Sequence, residues 1–209
     1  MRGLYAIVDP AVCLGAPLEA AEQILRGGCA MLQLRDKLGS DEQVLALGRE
    51  LAALCRRAGV PFVVNDRYWL AQQLGADGVH VGQSDAALEE VRREVSGAIQ
   101  VGVSTHSLDQ ALDAARRGAD LIGFGPVFPT RSKGDADPVV GVAGLRAVCE
   151  RVSIPVVAIG GIDLERAPEV AAAGAPLAAA ISAVCRAPDI EWAAAQLHLA
   201  LGGARGAGR

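Results

Sequence analysis

Eight short runs of β-branched and aliphatic residues recur along the chain. Each is followed by an Ala/Leu/Arg-rich stretch at helical spacing, and no other feature restricts the fold as much. Repeated βα units of this kind bury a parallel sheet on both faces, so the strands read as continuous apolar runs rather than alternating ones. The expected strands are Leu4–Val8, Met31–Leu34, Pro61–Val64, Gly78–Val81, Ile99–Val103, Leu121–Phe124, Pro155–Ile159 and Leu177–Ile181. Helices are expected near 17–26, 41–58, 67–74, 85–95, 107–117, 141–151, 163–173 and 188–201, several of them closed by a glycine at 28, 59, 75, 118 or 174. An open doubly wound sheet uses the same local grammar, but eight strands in 209 residues favour a single-domain (β/α)8 TIM barrel over 1–201. The Gly/Ala/Arg-rich stretch 202–209 is expected to be a flexible tail.

Composition narrows the class. With 51% hydrophobic and 21% charged residues the chain suits one large core. A net charge of -4 provides no broad basic face for a nucleic-acid backbone. No uninterrupted apolar stretch approaches the roughly 20 residues needed to span a bilayer, and the run from Leu4 to Val8 is too brief for a secretory h-region. The expected setting is cytoplasmic, with no nucleic acid and no membrane as partner. Five cysteines, Cys13, Cys29, Cys55, Cys149 and Cys185, are widely spaced and never in C-x-x-C. They read as reduced core thiols rather than a disulfide framework or zinc site.

Scarce residue types mark one end of the expected barrel. Of 20 basic residues 18 are arginine; the lysines are Lys37 and Lys133, the one asparagine is Asn65, and the threonines are Thr105 and Thr130. All five fall just past the C-terminal end of an expected strand, the rim on which barrel enzymes build active sites. Lysine kept in an arginine-biased chain suits a compact point charge facing phosphate oxygens. Period-two alternation would put Gln33, Arg35 and Lys37 on one side of an extended segment, an amide and two cations facing one ligand. Asp66 and Asp85 arrive on neighbouring strands. Each could cap the next helix, but beside these cations the pair reads better as a Mg²⁺ site, since Mg²⁺ keeps several waters and takes one or two carboxylates. His106, in Ser104-Thr105-His106, fits either a general acid or base or a polar helix start. The segment 123–134 is long, rich in hydroxyls and charge, and suits a lid or ligand clamp. It lacks a dinucleotide fingerprint. Gly160-Gly161 and Ser182-Ala183 follow the last two strands, where such barrels often cradle phosphate.

The segments Gln33-Leu34-Arg35-Asp36-Lys37, Val64-Asn65-Asp66, Gly82-Gln83-Ser84-Asp85, Gly123-Phe124-Gly125-Pro126, Gly160-Gly161-Ile162 and Ile181-Ser182-Ala183 form an ordered series of separated motifs. In these motifs, within a likeness running from Leu4 to about Leu197, the chain resembles the thiamine phosphate synthase family, which joins the pyrimidine and thiazole halves of thiamine monophosphate. The resemblance implies a transferase that condenses hydroxymethylpyrimidine diphosphate with a thiazole phosphate and releases pyrophosphate. By that resemblance Gln33, Arg35, Lys37, Asn65, Ser104 and Lys133 bind the diphosphate substrate, with Arg35, Lys37 and Lys133 neutralising the departing group. Asp66 and Asp85 hold Mg²⁺, and Thr130, Ser132, Gly161, Ile181 and Ser182 bind the thiazole phosphate. A homo-oligomer is compatible with the family. The related alternatives are a thiazole tautomerase-like enzyme and a non-catalytic regulatory barrel, both disfavoured because Asp85 and the cations are present. Ser132 stands where the family commonly has Thr, and Ala175-Pro176-Leu177-Ala178-Ala179-Ala180 replaces a run of the Asp-Gly-Val-Ala type.

Overall fold

Side-chain alternation along the strands divides the interior into two layers. The computed structural model describes residues 1–130 and 138–204. Within it Leu4, Ala6, Val8, Leu32, Leu34 and Val64 join Ile24, Leu51 and Leu145 of the helices in the large outer core. The intervening residues Tyr5, Met31, Val63, Leu121, Val157 and Leu177 fill the barrel interior. Both layers are buried, and truncating a fully buried member such as Leu32 to Ala would cost about 2–5 kcal/mol through lost burial plus a residual cavity.

The strands are β1 Gly3–Val8, β2 Met31–Leu34, β3 Phe62–Asn65, β4 Gly78–Val81, β5 Gln100–Thr105, β6 Leu121–Phe124, β7 Val156–Ala158 and β8 Leu177–Ala180. They pair in parallel in chain order, and β8 returns to β1 with Gly3 opposite Leu177, which closes the barrel. The helices are α1 Pro17–Gly27, α2 Asp41–Ala58, α3 Ala71–Leu74, α4 Leu88–Glu94, α5 Leu108–Arg116, α6 Gly141–Arg151, α7 Ala167–Ala172, α8 Ser182–Cys185 and α9 Ile190–Ala200. Helix α2 starts with a capping box: the Ser40 hydroxyl accepts from the Gln43 backbone N–H, and the Gln43 side chain accepts from the Ser40 N–H. It ends at Gly59 in the left-handed region, φ 67°.

Departures from the expected elements cluster at the rim. The helix expected over 67–74 is split into a 3₁₀ turn, Tyr68–Leu70, and α3, because the chain leaves β3 through Asp66 at φ 59°. The helix expected over 163–173 shortens to α7. Asp163 Oδ1 accepts from the Arg166 N–H at 3.0 Å, which makes a separate turn of residues 163–166 before the helix. Strand β8 stops at Ala180 and the unexpected α8 follows, since Ile181 turns out of extended geometry at φ -111°, ψ -80°. The alanine-rich run still forms β8, fully buried between β7 and β1. All five cysteines are free; Cys29, Cys55 and Cys185 are buried as expected, while Cys13 and Cys149 are partly exposed. Among the described residues no helix is long and apolar enough to cross a membrane. The tail expected over 202–209 lies outside the described residues from 205 onward.

Candidate active site

The C-terminal ends of the strands open onto one cleft of about 1090 Å³. Its first half is built of side chains that hold one another. Asp9, buried at the end of β1, accepts from the Ala11 N–H at 3.0 Å and pairs with the Arg35 guanidinium. Arg35 is thereby fixed on the cleft wall instead of ranging through its rotamers. Two residues on, Lys37 Nζ lies 3.1 Å from Asp66 Oδ2. The intervening turn is tightened by Asp36, whose Oδ1 accepts from the Leu38 and Gly39 N–H groups.

Neither Asp66 nor Asp85 caps a helix. The residues preceding the 3₁₀ turn and α4 are Arg67 and Ala87, without side-chain caps. Asp85 Oδ2 instead accepts from the Gly82 N–H at 2.7 Å. Burial pushes the Asp66 carboxyl above the usual carboxylate range; Lys37 opposes that shift and the adjacent Asp85 adds to it. Deeper in the barrel the Ser104 hydroxyl and His80 Nε2 are 3.0 Å apart, and Gln83 donates to the Ser104 carbonyl at 2.7 Å. His106 Nδ1 lies 2.6 Å from the Gly125 carbonyl, and its N–H donates to Gln110.

The second half is backbone. Gly160 and Gly161 take φ values of 92° and 65°, and a Cβ on Gly161 would meet the Pro129 carbonyl at 2.6 Å. The segment after β6 lies directly on this turn: Val127 N–H donates to Ile159 and Phe128 N–H to Gly160. Ile181 and Ser182 border the same end of the cleft.

The cleft therefore brings together Arg35, Lys37, Asn65, Asp66, Asp85, Ser104, Thr130, Gly161, Ile181 and Ser182. Gln33 is not on its wall; it is buried below, its amide donating to the Tyr5 hydroxyl at 2.8 Å. Ser132 and Lys133 lie outside the described residues. Thr105, one of the scarce residues, is buried and donates to the Gly123 carbonyl, a wall contact. Sequence reasoning missed Asp9, His80, Arg166 and Arg186. His80 lies inside the apolar run Gly78–Val81, and Asp9 directly follows the run Leu4–Val8. The arginines are hidden by a composition in which arginine is commonplace.

Asp66 and Asp85, at a mouth that also carries Arg35, Lys37 and Asn65, make a donor set for a hard divalent ion that retains water. Among the described residues no group of three or more His, Cys, Asp or Glu could enclose a metal.

Fold and cleft define a (β/α)8-barrel enzyme with its polar residues gathered on the C-terminal rim. The family model described as thiamine monophosphate synthase matches residues 4–184. The thiamine-phosphate synthase of Methanocella arvoryzae is 47% identical over 207 residues, covering 99% of this chain and 98% of that protein. That of Chloroflexus aurantiacus is 45% identical over 196 residues, covering 93% and 90%. The solved thiamine phosphate pyrophosphorylase from Pyrococcus furiosus superposes with a TM-score of 0.88 at 36% identity, covering 96% of this chain and 95% of that one. The chain belongs to the thiamine monophosphate synthase family: it is a transferase of thiamine monophosphate synthesis.

Proposed function

We propose that the cleft binds hydroxymethylpyrimidine diphosphate against its side-chain half and the thiazole phosphate against its backbone half. The observation that carries this reading is that both sets of residues line one continuous cavity, so two phosphorylated substrates would meet in it. Arg35, Lys37 and Lys133 would stabilise negative charge as the C–O bond to the diphosphate breaks and pyrophosphate leaves with the electron pair. Asn65 and Ser104 would hold the pyrimidine. The Ser104 hydroxyl is oriented for this by His80 at 3.0 Å. Gln33, tied to Tyr5, would act from beneath as a support for the wall.

The pyrimidine amino group feeds electrons toward the reacting carbon, so the thiazole nitrogen forms the new C–N bond without any protein nucleophile. Thr130, Ser132, Gly161, Ile181 and Ser182 would fix the second phosphate and so place that nitrogen in line, a positioning contribution. Asp66 and Asp85 would hold Mg²⁺, which when bound supplies charge neutralisation at the departing diphosphate. The buried Asp66 carboxyl supports this, because a divalent ion would offset both the burial and, secondarily, the Asp85 charge that raise its proton affinity.

The test mixes the two phosphorylated substrates with the purified chain and Mg²⁺ and measures thiamine monophosphate and pyrophosphate. The expected products form in equal amounts, and a chelator such as EDTA abolishes turnover until Mg²⁺ is returned. Turnover undiminished in excess chelator would rule out the metal role.

A further inference from the structure

The thiazole phosphate end of the cleft has a charge deficit if Thr130, Ser132, Gly161, Ile181 and Ser182 are its only ligands. A phosphomonoester carries about -1.5 to -2 near neutral pH, whereas these residues offer neutral donors. Helix α8 has four residues, too few aligned peptide dipoles to replace a formal charge. Asp163 borders the same end and adds a further negative charge.

Two arginines also reach this end, in different circumstances. Arg166 is already committed: Nη1 donates to the Gly161 carbonyl at 2.7 Å, the guanidinium lies 5.0 Å over the Phe128 ring, and Asp163 is 3.6 Å away. Its charge offsets Asp163 and its fork braces the glycine turn. Arg186 is different. It follows Ser182 by one helical turn, its N–H donating to the Ser182 carbonyl at 3.1 Å, so the two side chains share a face of α8. It lines the cleft with Ser182, and among the described residues its guanidinium has no carboxylate within ion-pair distance.

Resting on the functional reading above, we propose that Arg186 is a further substrate-binding residue, whose guanidinium supplies the formal positive charge for the phosphate of the second substrate. A planar guanidinium beside a hydroxyl suits bidentate contact with phosphate oxygens.

The test is steady-state kinetics of the full chain with Mg²⁺, each substrate varied against saturation by the other. Arg186→Ala raises KM for the thiazole phosphate roughly tenfold, the loss of one charge-assisted contact. KM for the pyrimidine diphosphate is unchanged and kcat stays within about twofold, as for a contact made equally in ground and transition states. Arg186→Lys recovers part of the loss, and Arg186→Gln, which keeps the stem, serves if the Ala variant fails to fold. The non-phosphorylated thiazole alcohol is used equally poorly by parent and variant. The inference is overturned if KM for the thiazole phosphate does not move, if both KM values rise together, or if the alcohol suffers as much as the phosphate. An unaltered chain that makes no thiamine monophosphate would overturn the functional reading itself, and the inference with it.

Discussion

From β1 to β5 the rim is made of side chains that answer one another: Asp9 with Arg35, Lys37 with Asp66, Asp85 with the Gly82 N–H, Ser104 with His80. At β7 and β8 it is made of main chain, a two-glycine turn under the Phe128–Pro129 segment and a short helix start. The first half is a set of point charges whose values depend on burial and on their neighbours, as the raised Asp66 carboxyl illustrates. The second is a shape that exists because a Cβ is absent. The halves should therefore fail in different ways: chemistry and metal dependence on one side, substrate affinity and backbone strain on the other.

The largest separation is expected from Asp85→Asn. The amide keeps the size and an oxygen for the Gly82 N–H but removes a charge, so kcat should fall on the order of a hundredfold to a thousandfold, with a weaker apparent Mg²⁺ affinity and little change in KM for the thiazole phosphate. Magnesium titrations of initial rate measure both effects; full activity at ordinary Mg²⁺ would remove Asp85 from the proposed metal site. Next comes Gly161→Ala. Its Cβ would sit 2.6 Å from the Pro129 carbonyl at a φ of 65°, so stability should drop by about 1–3 kcal/mol. KM for the thiazole phosphate should rise while Mg²⁺ dependence holds. Thermal melts and paired KM measurements decide, and a variant that loses Mg²⁺ affinity instead would show that the halves are not separate.

The same contrast explains what could be read from the chain before its structure. Parallel strands covered on both faces leave uninterrupted apolar runs, so all eight are visible in the sequence, three with both ends in place and the rest within two residues. Lys37 and Asn65 stood out because lysine and asparagine are rare in this composition. Arg166 and Arg186 did not, being two arginines among 18. Gln33, Arg35 and Lys37 sit at different depths: Gln33 is buried against the Tyr5 hydroxyl, while Arg35, whose N–H still donates to the Val8 carbonyl, and Lys37 line the cleft. Asp66 could not be separated from a helix cap by spacing, because its left-handed backbone is set by where β3 and the following turn must meet. The 163–166 turn reads as helix for a similar reason: a single hydrogen bond from the Arg166 N–H to the Asp163 carboxylate decides it.

A smaller effect tests whether the side-chain half depends on support from behind. Arg67 Nη2 donates to the Gly39 carbonyl at 2.5 Å and Nη1 to Asp41 at 2.8 Å, while Trp69 donates to the same carboxylate at 2.9 Å. This fork joins the loop carrying Lys37 to the one carrying Asp66. Arg67→Ala should weaken apparent Mg²⁺ affinity roughly tenfold, as loss of an outer support does, without changing KM for the thiazole phosphate. Arg67→Lys should rescue only part, since an ammonium cannot reproduce the fork. Equal losses for both substrates would indicate general loosening of the rim.

The smallest effect is a control at the opposite end of the barrel, where neither half should feel it. His198 on α9 is buried, and its Nδ1 accepts from the Leu4 N–H at 3.2 Å. Burial lowers its pKa below the ordinary imidazole value. A depressed folded pKa means that the unfolded chain takes up the proton first. The stability due to the neutral ring is present above about pH 6.5 and is lost as pH falls through the folded value. His198→Gln keeps an acceptor for Leu4 without titrating, so its Tm should fall less than that of the parent between pH 7 and pH 5, by about 1–3 °C. Its kcat and both KM values at neutral pH should match the parent. Parallel Tm profiles would mean that His198 does not carry this pH dependence, and a change in either KM would mean that the base of the barrel is coupled to the rim.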